Sequence, residues 1–149
     1  MECPFRGSVV YVSPASPEGD EAAREVIHFW EDLVGAEGVR VAAEEHDRRA
    51  GWMEQLPRLL AAAASAGYGA NGLGATSWGR EARMLTDLIA EDPSALARML
   101  LANRTNVQEG LVATSGILAR YAAAIGAGDE AGLAALIDDA RRIRRGSER

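Results

Sequence analysis

The chain is organised around the segment from residue 44 to residue 58, which reads Glu44-Glu45-His46-Asp47-Arg48-Arg49-Ala50-Gly51-Trp52-Met53-Glu54-Gln55-Leu56-Pro57-Arg58. This segment predicts a helix that begins at Asp47, whose carboxylate can cap the free N–H groups of the first turn. Pro57 falls inside that helix, where it lacks an N–H donor and crowds the carbonyl of Met53. We therefore expect the helix to kink at Pro57.

Three polar side chains flank the expected kink. Glu54 and Arg58 are four residues apart and so share one face of a helix, with Gln55 beside them. A carboxylate, an amide and a guanidinium near a freed carbonyl form a candidate binding site. The same spacing is typical of a surface ion pair, so both interpretations stay open at this point.

Composition limits the class of protein. The 149 residues suffice for one domain with a sizeable core, and the balance of 48% apolar and 5% aromatic residues favours helices that pack closely. A formal net charge of −6 argues against a nucleic-acid partner. The exception is the basic run at 141–145, which we interpret as a helix end that complements the helix dipole.

The same survey predicts a location. Cys3 is the single cysteine, so an internal disulfide is excluded and a reducing compartment is expected. We find no apolar run near the roughly 20 residues that cross a bilayer, and no signal peptide at the N-terminus. The sequence therefore predicts a soluble cytoplasmic protein without a membrane partner.

The first 43 residues predict a βαβ unit. A β-branched run at 8–12 reads as a strand, 21–34 as an amphipathic helix and 39–42 as a second strand. Strands joined in this way are parallel. Two parallel strands leave both sheet edges open, so either a second chain completes the sheet or it is a remnant packed on the helical part.

From residue 44 onward the pattern is helical. The glycine-rich stretch 67–74 reads as a loop or as closely packed backbone, and Ser94 is the expected cap of the longest helix. The predicted fold class is thus mainly α, a small N-terminal βαβ unit (1–43) followed by a helical bundle (44–149), with helices expected at 47–66, 77–90, 95–126 and 129–145.

Several motifs, in this order, resemble those of prephenate dehydrogenases: Phe5-Arg6-Gly7, Phe29-Trp30, Glu44-Glu45-His46-Asp47-Arg48, Leu56-Pro57 with Leu59-Leu60, Asp92-Pro93, Leu101-Ala102-Asn103-Arg104 and Gly128-Asp129. In that family an N-terminal Rossmann-like domain binds NAD and a C-terminal helical domain forms an intertwined dimer. The resemblance implies that this chain corresponds to the last βαβ unit of the first domain and all of the second.

Two departures from the family pattern bear on function. The glycine-rich dinucleotide fingerprint is absent, so we expect no cofactor and no hydride transfer to NAD by this chain alone. Family members usually read Ser-His-Leu-Pro-His at the kink, where this chain has Glu54-Gln55-Leu56-Pro57-Arg58. The arginine that holds a substrate carboxylate in the family corresponds to Asp87 here, and Arg83 or Arg80 are the nearest substitutes.

The first functional hypothesis is a cofactor-free enzyme, a cyclase, isomerase or lyase that acts on a small molecule less acidic than prephenate, as in secondary metabolism. Glu54 would transfer a proton, while Arg58 and Gln55 polarise a carbonyl or hold a carboxylate. The remaining candidates for substrate binding are Trp52, Tyr68, Trp78, Arg83, Met84 and Asp87. Both tryptophans also fit a core or interface, and His46 fits a locally hydrogen-bonded residue at a helix entry.

The second hypothesis is a non-catalytic role, as a dimeric scaffold or as the helical subunit of a prephenate or arogenate dehydrogenase whose NAD-binding part is a separate chain. The open sheet edge motivates it. A degenerate remnant ranks last, because helical periodicity and turn signals agree along the chain. In either case we expect a homodimer, since helix 95–126 is apolar on more than one face.

Overall fold

A computed structural model describes residues 4–14, 16 and 19–146 as two short strands followed by helices. Strands β1 (Val9–Val12) and β2 (Glu37–Arg40) pair in parallel, with Val9 opposite Glu37, and helix α1 (Asp20–Phe29) connects them. The parallel βαβ unit expected from the sequence is confirmed. Within the described ranges the sheet has these two strands and no others, so both of its edges are unpaired.

The second strand begins earlier than predicted. A π-helical turn (Trp30–Val34) follows α1 and ends at Gly35, whose φ of 73° is the left-handed conformation that glycine tolerates. The chain turns there at once, and the N–H of Glu37 donates to the carbonyl of Ser8 at 2.8 Å. The predicted strand 39–42 was therefore placed two residues too late.

The unit is held together by close contact between α1 and β2. A Cβ added at Gly38 would lie 2.6 Å from Cγ2 of Ile27, so only glycine lets the helix approach the strand this closely. Arg40 at the end of β2 forms an ion pair with Asp20 at the start of α1. Both contacts tie the helix to the same strand.

The remaining chain is helical, as predicted: α2 (Ala43–Ala50), a π-helical turn (Gly51–Gln55), α3 (Leu56–Ala70), α4 (Arg80–Thr86), α5 (Pro93–Ala102), α6 (Arg104–Ala127) and α7 (Glu130–Gly146). Short 3₁₀ turns lie at Ala75–Ser77 and Asp87–Ile89. Helix α3 continues through Ala70, so only the second half of the glycine-rich stretch 67–74 is a loop.

Three predicted helix starts are wrong. Helix α4 begins at Arg80 and not at residue 77, because Trp78 and Gly79 are extended. Helix α2 begins at Ala43 and not at Asp47, because Ala42 is extended where the chain leaves β2 and no side-chain cap is used. At α5 the cap is Asp92 and not Ser94: the Asp92 carboxylate accepts from the N–H of Ala95 at 2.8 Å, with Pro93 in the first turn. An aspartate followed by proline is thus the operative helix-start signal.

The single helix predicted at 95–126 is also wrong. It divides at Asn103, where φ is −111° and ψ is 32°, into α5 and α6. The side chain of Asn103 donates to the backbone carbonyl of Asp47 at 2.7 Å, a residue 56 positions earlier. A tertiary hydrogen bond therefore accompanies a break in an otherwise helical pattern.

The chain forms two compact units, Met1–Val107 and Gln108–Arg149. In the second unit Asp129 caps α7 through the N–H of Gly132 at 2.9 Å, and Tyr121 donates to the carbonyl of Leu136 at 3.3 Å. The domain boundary proposed between residues 43 and 44 stays a prediction.

Few large side chains are buried. The buried apolar residues of the described chain are mostly small, and they are Ala23, Ala36, Val41, Leu56, Ala61 and Val107. Many large apolar residues are exposed, among them Leu33 and Met53. Apolar surface on this scale is typical of a protein that packs against a partner.

Helix α6 is the one helix in the described part of the chain that is long and apolar enough to cross a membrane, by length and composition alone. By this criterion the prediction that no segment approaches the length needed to cross a bilayer is wrong. Core helices of soluble proteins meet the same criterion, so it is weak support for a membrane span.

A charged cluster fastens α2 to β1. Glu45 accepts hydrogen bonds from Arg48 at 2.7 and 2.9 Å and from Arg49 at 2.6 Å, and the Arg49 guanidinium lies 5.3 Å from the centre of the Tyr11 ring. The Arg48 guanidinium, and then that of Arg49, lower the pKa of Glu45 from its ordinary value to about 2. The ionised form of Glu45 is therefore favoured in the folded chain.

This pKa predicts an acid-sensitive contribution to stability. The native pKa of Glu45 is depressed, so its contribution is fully present above the unfolded pKa of 4.5 and is lost as the pH falls from there through about 2. We expect Glu45→Gln to lower the urea midpoint at pH 7, and its midpoint to approach that of the parent chain as the pH falls through about 2. Glu44→Gln, an exposed neighbour in the same turn, is the control; an equal effect in both variants would contradict the prediction.

Candidate functional site

The candidate site is built on the π-helical turn between α2 and α3. The turn ends at Gln55, and Pro57 then lies in the first turn of α3, where the missing N–H costs little. The interruption expected at Pro57 is thus a widened helical turn just before the proline. Single π-turns of this kind often mark functional sites.

Gly51 at the start of the π-turn allows a close approach by α6. A Cβ at this position would lie 2.8 Å from Cβ of Asn106 and 3.2 Å from Nδ2 of Asn103. Both asparagines belong to the same compact unit as the π-turn. Glycine is therefore required at position 51, where the backbone of the π-turn contacts the side chains of Asn103 and Asn106.

Gln55 is buried behind the π-turn, with only 7% of its surface exposed. Its Oε1 accepts a hydrogen bond from Asn103 Nδ2 at 3.0 Å, and Asn103 Oδ1 accepts one from Asn106 Nδ2 at 2.8 Å. Sequence reasoning selected Gln55 but missed both asparagines. The available signal was a polar asparagine inside the apolar helical run at 95–126, a position that asparagine disfavours without a partner.

Arg58 pairs with a residue other than the one expected. Its guanidinium forms an ion pair with Glu91, Nη2 to Oε1 at 3.2 Å, and Nη1 lies 3.8 Å from the sulfur of Met99. The Arg58 side chain is 26% exposed. The surface pair between Glu54 and Arg58 that the spacing permitted does not form.

Glu54 lies on the π-turn and is exposed. Its carboxylate forms no hydrogen bond or ion pair with any residue that the structure describes. It is consequently available to solvent or to a ligand.

The aromatic candidates form a separate group at the far end of α3. The rings of Tyr68 and Trp78 meet edge to face, 5.7 Å between centroids. Trp78 Nε1 donates to the carbonyl of Leu73 at 2.9 Å, and Arg83 Nε donates to the carbonyl of Trp78 at 3.1 Å. The structure thus brings Tyr68, Trp78 and Arg83 together.

The other candidates stand apart from this group. Trp52, Met84 and Asp87 are exposed, and no contact described here joins their side chains to Arg58 or to the aromatic pair. His46 lies in the first turn of α2 with Nδ1 3.1 Å from Asp47 Oδ1, which confirms the local hydrogen bond expected for it.

Two of the open grooves lined by residues that the structure describes contain no predicted site residue. One, of about 410 Å³, lies at the carboxyl ends of the strands and has Asp20, Arg40 and Glu44 among its lining residues. The other, of about 490 Å³, lies between α6 and α7 in the second unit, and four of its nine lining residues are alanines. No metal-binding group of three His, Cys, Asp or Glu side chains occurs in the described ranges.

Known structures share this fold, although neither a protein-family model nor a curated protein matches the sequence. Prephenate dehydrogenase from Aquifex aeolicus, solved with hydroxyphenyl propionate and NAD+, superimposes with a TM-score of 0.83 at 20% identity, over 98% of this chain and 52% of that one. For Synechocystis arogenate dehydrogenase the TM-score is 0.75 at 18% identity, over 96% of this chain and 53% of that one.

These likenesses confirm the fold expected from the sequence motifs, a βαβ unit followed by the helices of a prephenate dehydrogenase-like structure. The chain spans about half the length of the solved structures that it matches. At this level of identity the likeness is one of fold.

Proposed function

We propose that this chain is a redox-free enzyme, of the cyclase, isomerase or lyase class, that acts on a small molecule bearing a carboxylate or carbonyl at the π-turn. The observation that carries the proposal is the π-turn itself, where the buried Gln55 follows the exposed Glu54 in sequence and precedes the half-buried Arg58. Glu54 transfers the proton, and Arg58 with Gln55 holds the substrate oxygen. Such a reaction needs these groups and no redox partner.

The described residues do not fit a dinucleotide. A pyrophosphate is held at a helix N-terminus by free N–H groups and a glycine-rich turn. Here the first turn of α1 carries Asp20 and Glu21, and that of α2 carries Glu44 and Glu45. These carboxylates repel a phosphate at the two helix starts nearest the carboxyl ends of the strands, so no step of the proposal uses NAD.

The substrate is less acidic than prephenate. Asp87 occupies the position at which the resemblance implies a carboxylate-binding arginine, and it repels a second carboxylate. Tyr68, Trp78 and Arg83 lie at the far end of α3, away from the π-turn, so they do not determine which substrate groups bind there. A substrate with a single carboxylate or carbonyl therefore suits this chain better than a dicarboxylate. A cytoplasmic location, consistent with the lone Cys3, is part of the proposal.

Incubation of the purified chain with prephenate and with arogenate, each with and without NAD, tests the proposal. We expect any product to have the oxidation state of its substrate, to form without NAD, and to be resolved by mass. Turnover that requires NAD would overturn the proposal, as would failure of the Glu54→Gln variant to change a turnover seen without NAD.

A second candidate function, the helical subunit of a two-chain dehydrogenase, is favoured by the unpaired sheet edges. Exposed Phe5, Phe29 and Leu33 lie in the same βαβ unit, and apolar surface beside an open edge suits a partner that adds strands. This candidate predicts that the chain alone aggregates, and that a pull-down from cell extract recovers an NAD-binding protein. A chain that is monodisperse alone and captures no such protein would argue against it.

We also propose a homodimer. Helix α6 carries two pairs of adjacent exposed apolar residues, Leu111 with Val112 and Ile117 with Leu118. Neighbouring residues point about 100° apart around a helix, so this helix is apolar on more than one face. We expect light scattering at micromolar concentration to give twice the chain mass of 15.8 kDa. A monomer would contradict the prediction.

A further inference from the structure

The backbone carbonyl of Asp47 sets the hydrogen-bond directions of the side-chain amides of Asn103 and Gln55, which lie behind the π-turn. The backbone carbonyl of Asp47 accepts hydrogen bonds and cannot donate, so Asn103 must present its NH2 group there, at 2.7 Å. The second hydrogen of the same nitrogen goes to Gln55 at 3.0 Å, and Gln55 must therefore present its oxygen. The usual ambiguity between amide oxygen and nitrogen is resolved by a backbone atom.

This arrangement determines which polar atom of the Gln55 side chain has no hydrogen-bond partner among the described residues. With Oε1 turned to Asn103, its Nε2 group points the other way and forms no hydrogen bond with any residue described here. No fully buried side-chain nitrogen or oxygen of the described residues lacks a partner. Nε2 must therefore touch solvent, and it belongs to the 7% of Gln55 that is exposed.

Asn106 holds the arrangement from the other side. Its Nδ2 donates to Asn103 Oδ1 at 2.8 Å. Both polar atoms of the Asn103 side chain are therefore hydrogen-bonded, and rotation of the side chain would break these bonds. The outward donor is consequently in place before any ligand arrives, and binding costs little reorganisation.

We infer that Gln55 Nε2 is a preset donor that selects a ligand by its carboxylate oxygen and rejects a ligand with an ammonium group at the same place. Asn103 is the positioning residue that sets this polarity. Arg58, three residues later in the first turn of α3, is a cation of the same preference. The inference rests on the proposed function and assigns carboxylates as the class of ligand for the same site.

The first test needs no ligand. The chain has five side-chain amides, at Asn71, Asn103, Asn106, Gln55 and Gln108, and substitution assigns their 15N NMR signals. We expect the Asn103 NH2 hydrogens to exchange slowly with water and those of Gln55 to exchange faster. The opposite order would overturn the inference, because it would mean that Gln55 turns its NH2 inward.

The second test uses two probes of the same shape, 3-phenylpropionate and 3-phenylpropylamine, at about 10 mM, the range expected for ligands of this size. We expect the carboxylate to shift the Gln55 Nε2 signal and the amine to leave it in place. No shift with the carboxylate, or equal shifts with both probes, would overturn the inference.

Two variants separate recognition from structure. Gln55→Glu keeps an oxygen for Asn103 and replaces the outward donor with an acceptor, so 3-phenylpropionate should bind at least about tenfold more weakly, the loss of one hydrogen bond to a charged group. Gln108→Glu, the same change at an exposed site, should bind it as the parent does. Equal affinity in Gln55→Glu and the parent would overturn the inference.

Asn103→Asp should reverse the orientation of the Gln55 amide. An aspartate only accepts hydrogen bonds, so Gln55 would turn its NH2 group inward and its oxygen outward. Preference for the amine probe is the expected result, and an unchanged preference would overturn the inference. If this variant does not fold, Gln55→Glu decides. If the carboxylate probe binds but no substrate turns over, the proposed enzymatic function is refuted and the inference about Gln55 stands. If a substrate turns over but the Gln55 signal does not shift with the carboxylate probe, the inference is refuted and the proposed function stands.

Discussion

The Gly51→Ala variant is expected to lose about 2 kcal/mol of unfolding free energy, a large fraction of the stability of a small domain. The added Cβ would lie 2.8 Å from Cβ of Asn106 and 3.4 Å from its backbone carbonyl carbon. Neither atom can move by a side-chain rotation, so α6 must shift. The shift also stretches the hydrogen bonds of Asn103, which adds to the cost of overpacking.

Gly67→Ala is the matched control for this variant. Gly67 lies in α3 with nothing within 4 Å of an added Cβ, so alanine should stabilise the chain by about 0.5–1 kcal/mol through its higher helix propensity. Urea unfolding followed by circular dichroism measures both. If Gly51→Ala were as stable as Gly67→Ala, the close packing of the π-turn against α6 would be refuted.

Local signals in the sequence predicted most elements of the fold. The β-branched run at 8–12 and the helical periodicities gave the βαβ unit and the helices that follow it. Pro57 marked the place of the interruption, because proline is disfavoured inside a helix and favoured in its first turn. The motifs spread along the chain added the overall architecture, which the solved structures confirm.

The break at Asn103 could not be predicted in the same way. The apolar residues on either side keep helical spacing, and the partners of Asn103 are residues 47 and 55, more than forty positions away. The start of α2 was missed for a related reason: the geometry of the chain leaving β2 starts the helix without a side-chain cap. A long-range hydrogen bond accompanies the first boundary, and local backbone geometry sets the second.

The sequence predicted where the candidate site lies but not which residues its side chains contact. Spacing suggested a pair between Glu54 and Arg58, but the structure joins Arg58 to Glu91, 33 residues later. A π-turn changes the angular relation of residues four apart, so the usual helical spacing rule fails across it. Asn103 and Asn106, which orient Gln55, were outside the predicted set because Gln55 lies 48 residues before Asn103 in the sequence.

Glu54→Gln is expected to lower turnover at least about a hundredfold, the usual contribution of a positioned acid–base group. The exposed carboxylate has no partner among the described residues, so the isosteric amide should leave the free energy of unfolding unchanged within about 0.5 kcal/mol. Glu109→Gln, an exposed change of the same kind on α6, should retain full turnover. Steady-state kinetics on whichever substrate turns over without NAD makes the comparison.

Arg58→Ala should lower turnover by a similar factor, but this variant also removes the pair with Glu91 and needs a second change to be interpreted. Glu91→Gln weakens the same ion pair while keeping the guanidinium. If Arg58 binds the substrate, freeing it should preserve or lower KM, whereas a purely structural Arg58 would make both variants lose activity together. Loss in Arg58→Ala with retention in Glu91→Gln therefore assigns the guanidinium to the substrate, and parallel loss assigns it to the fold.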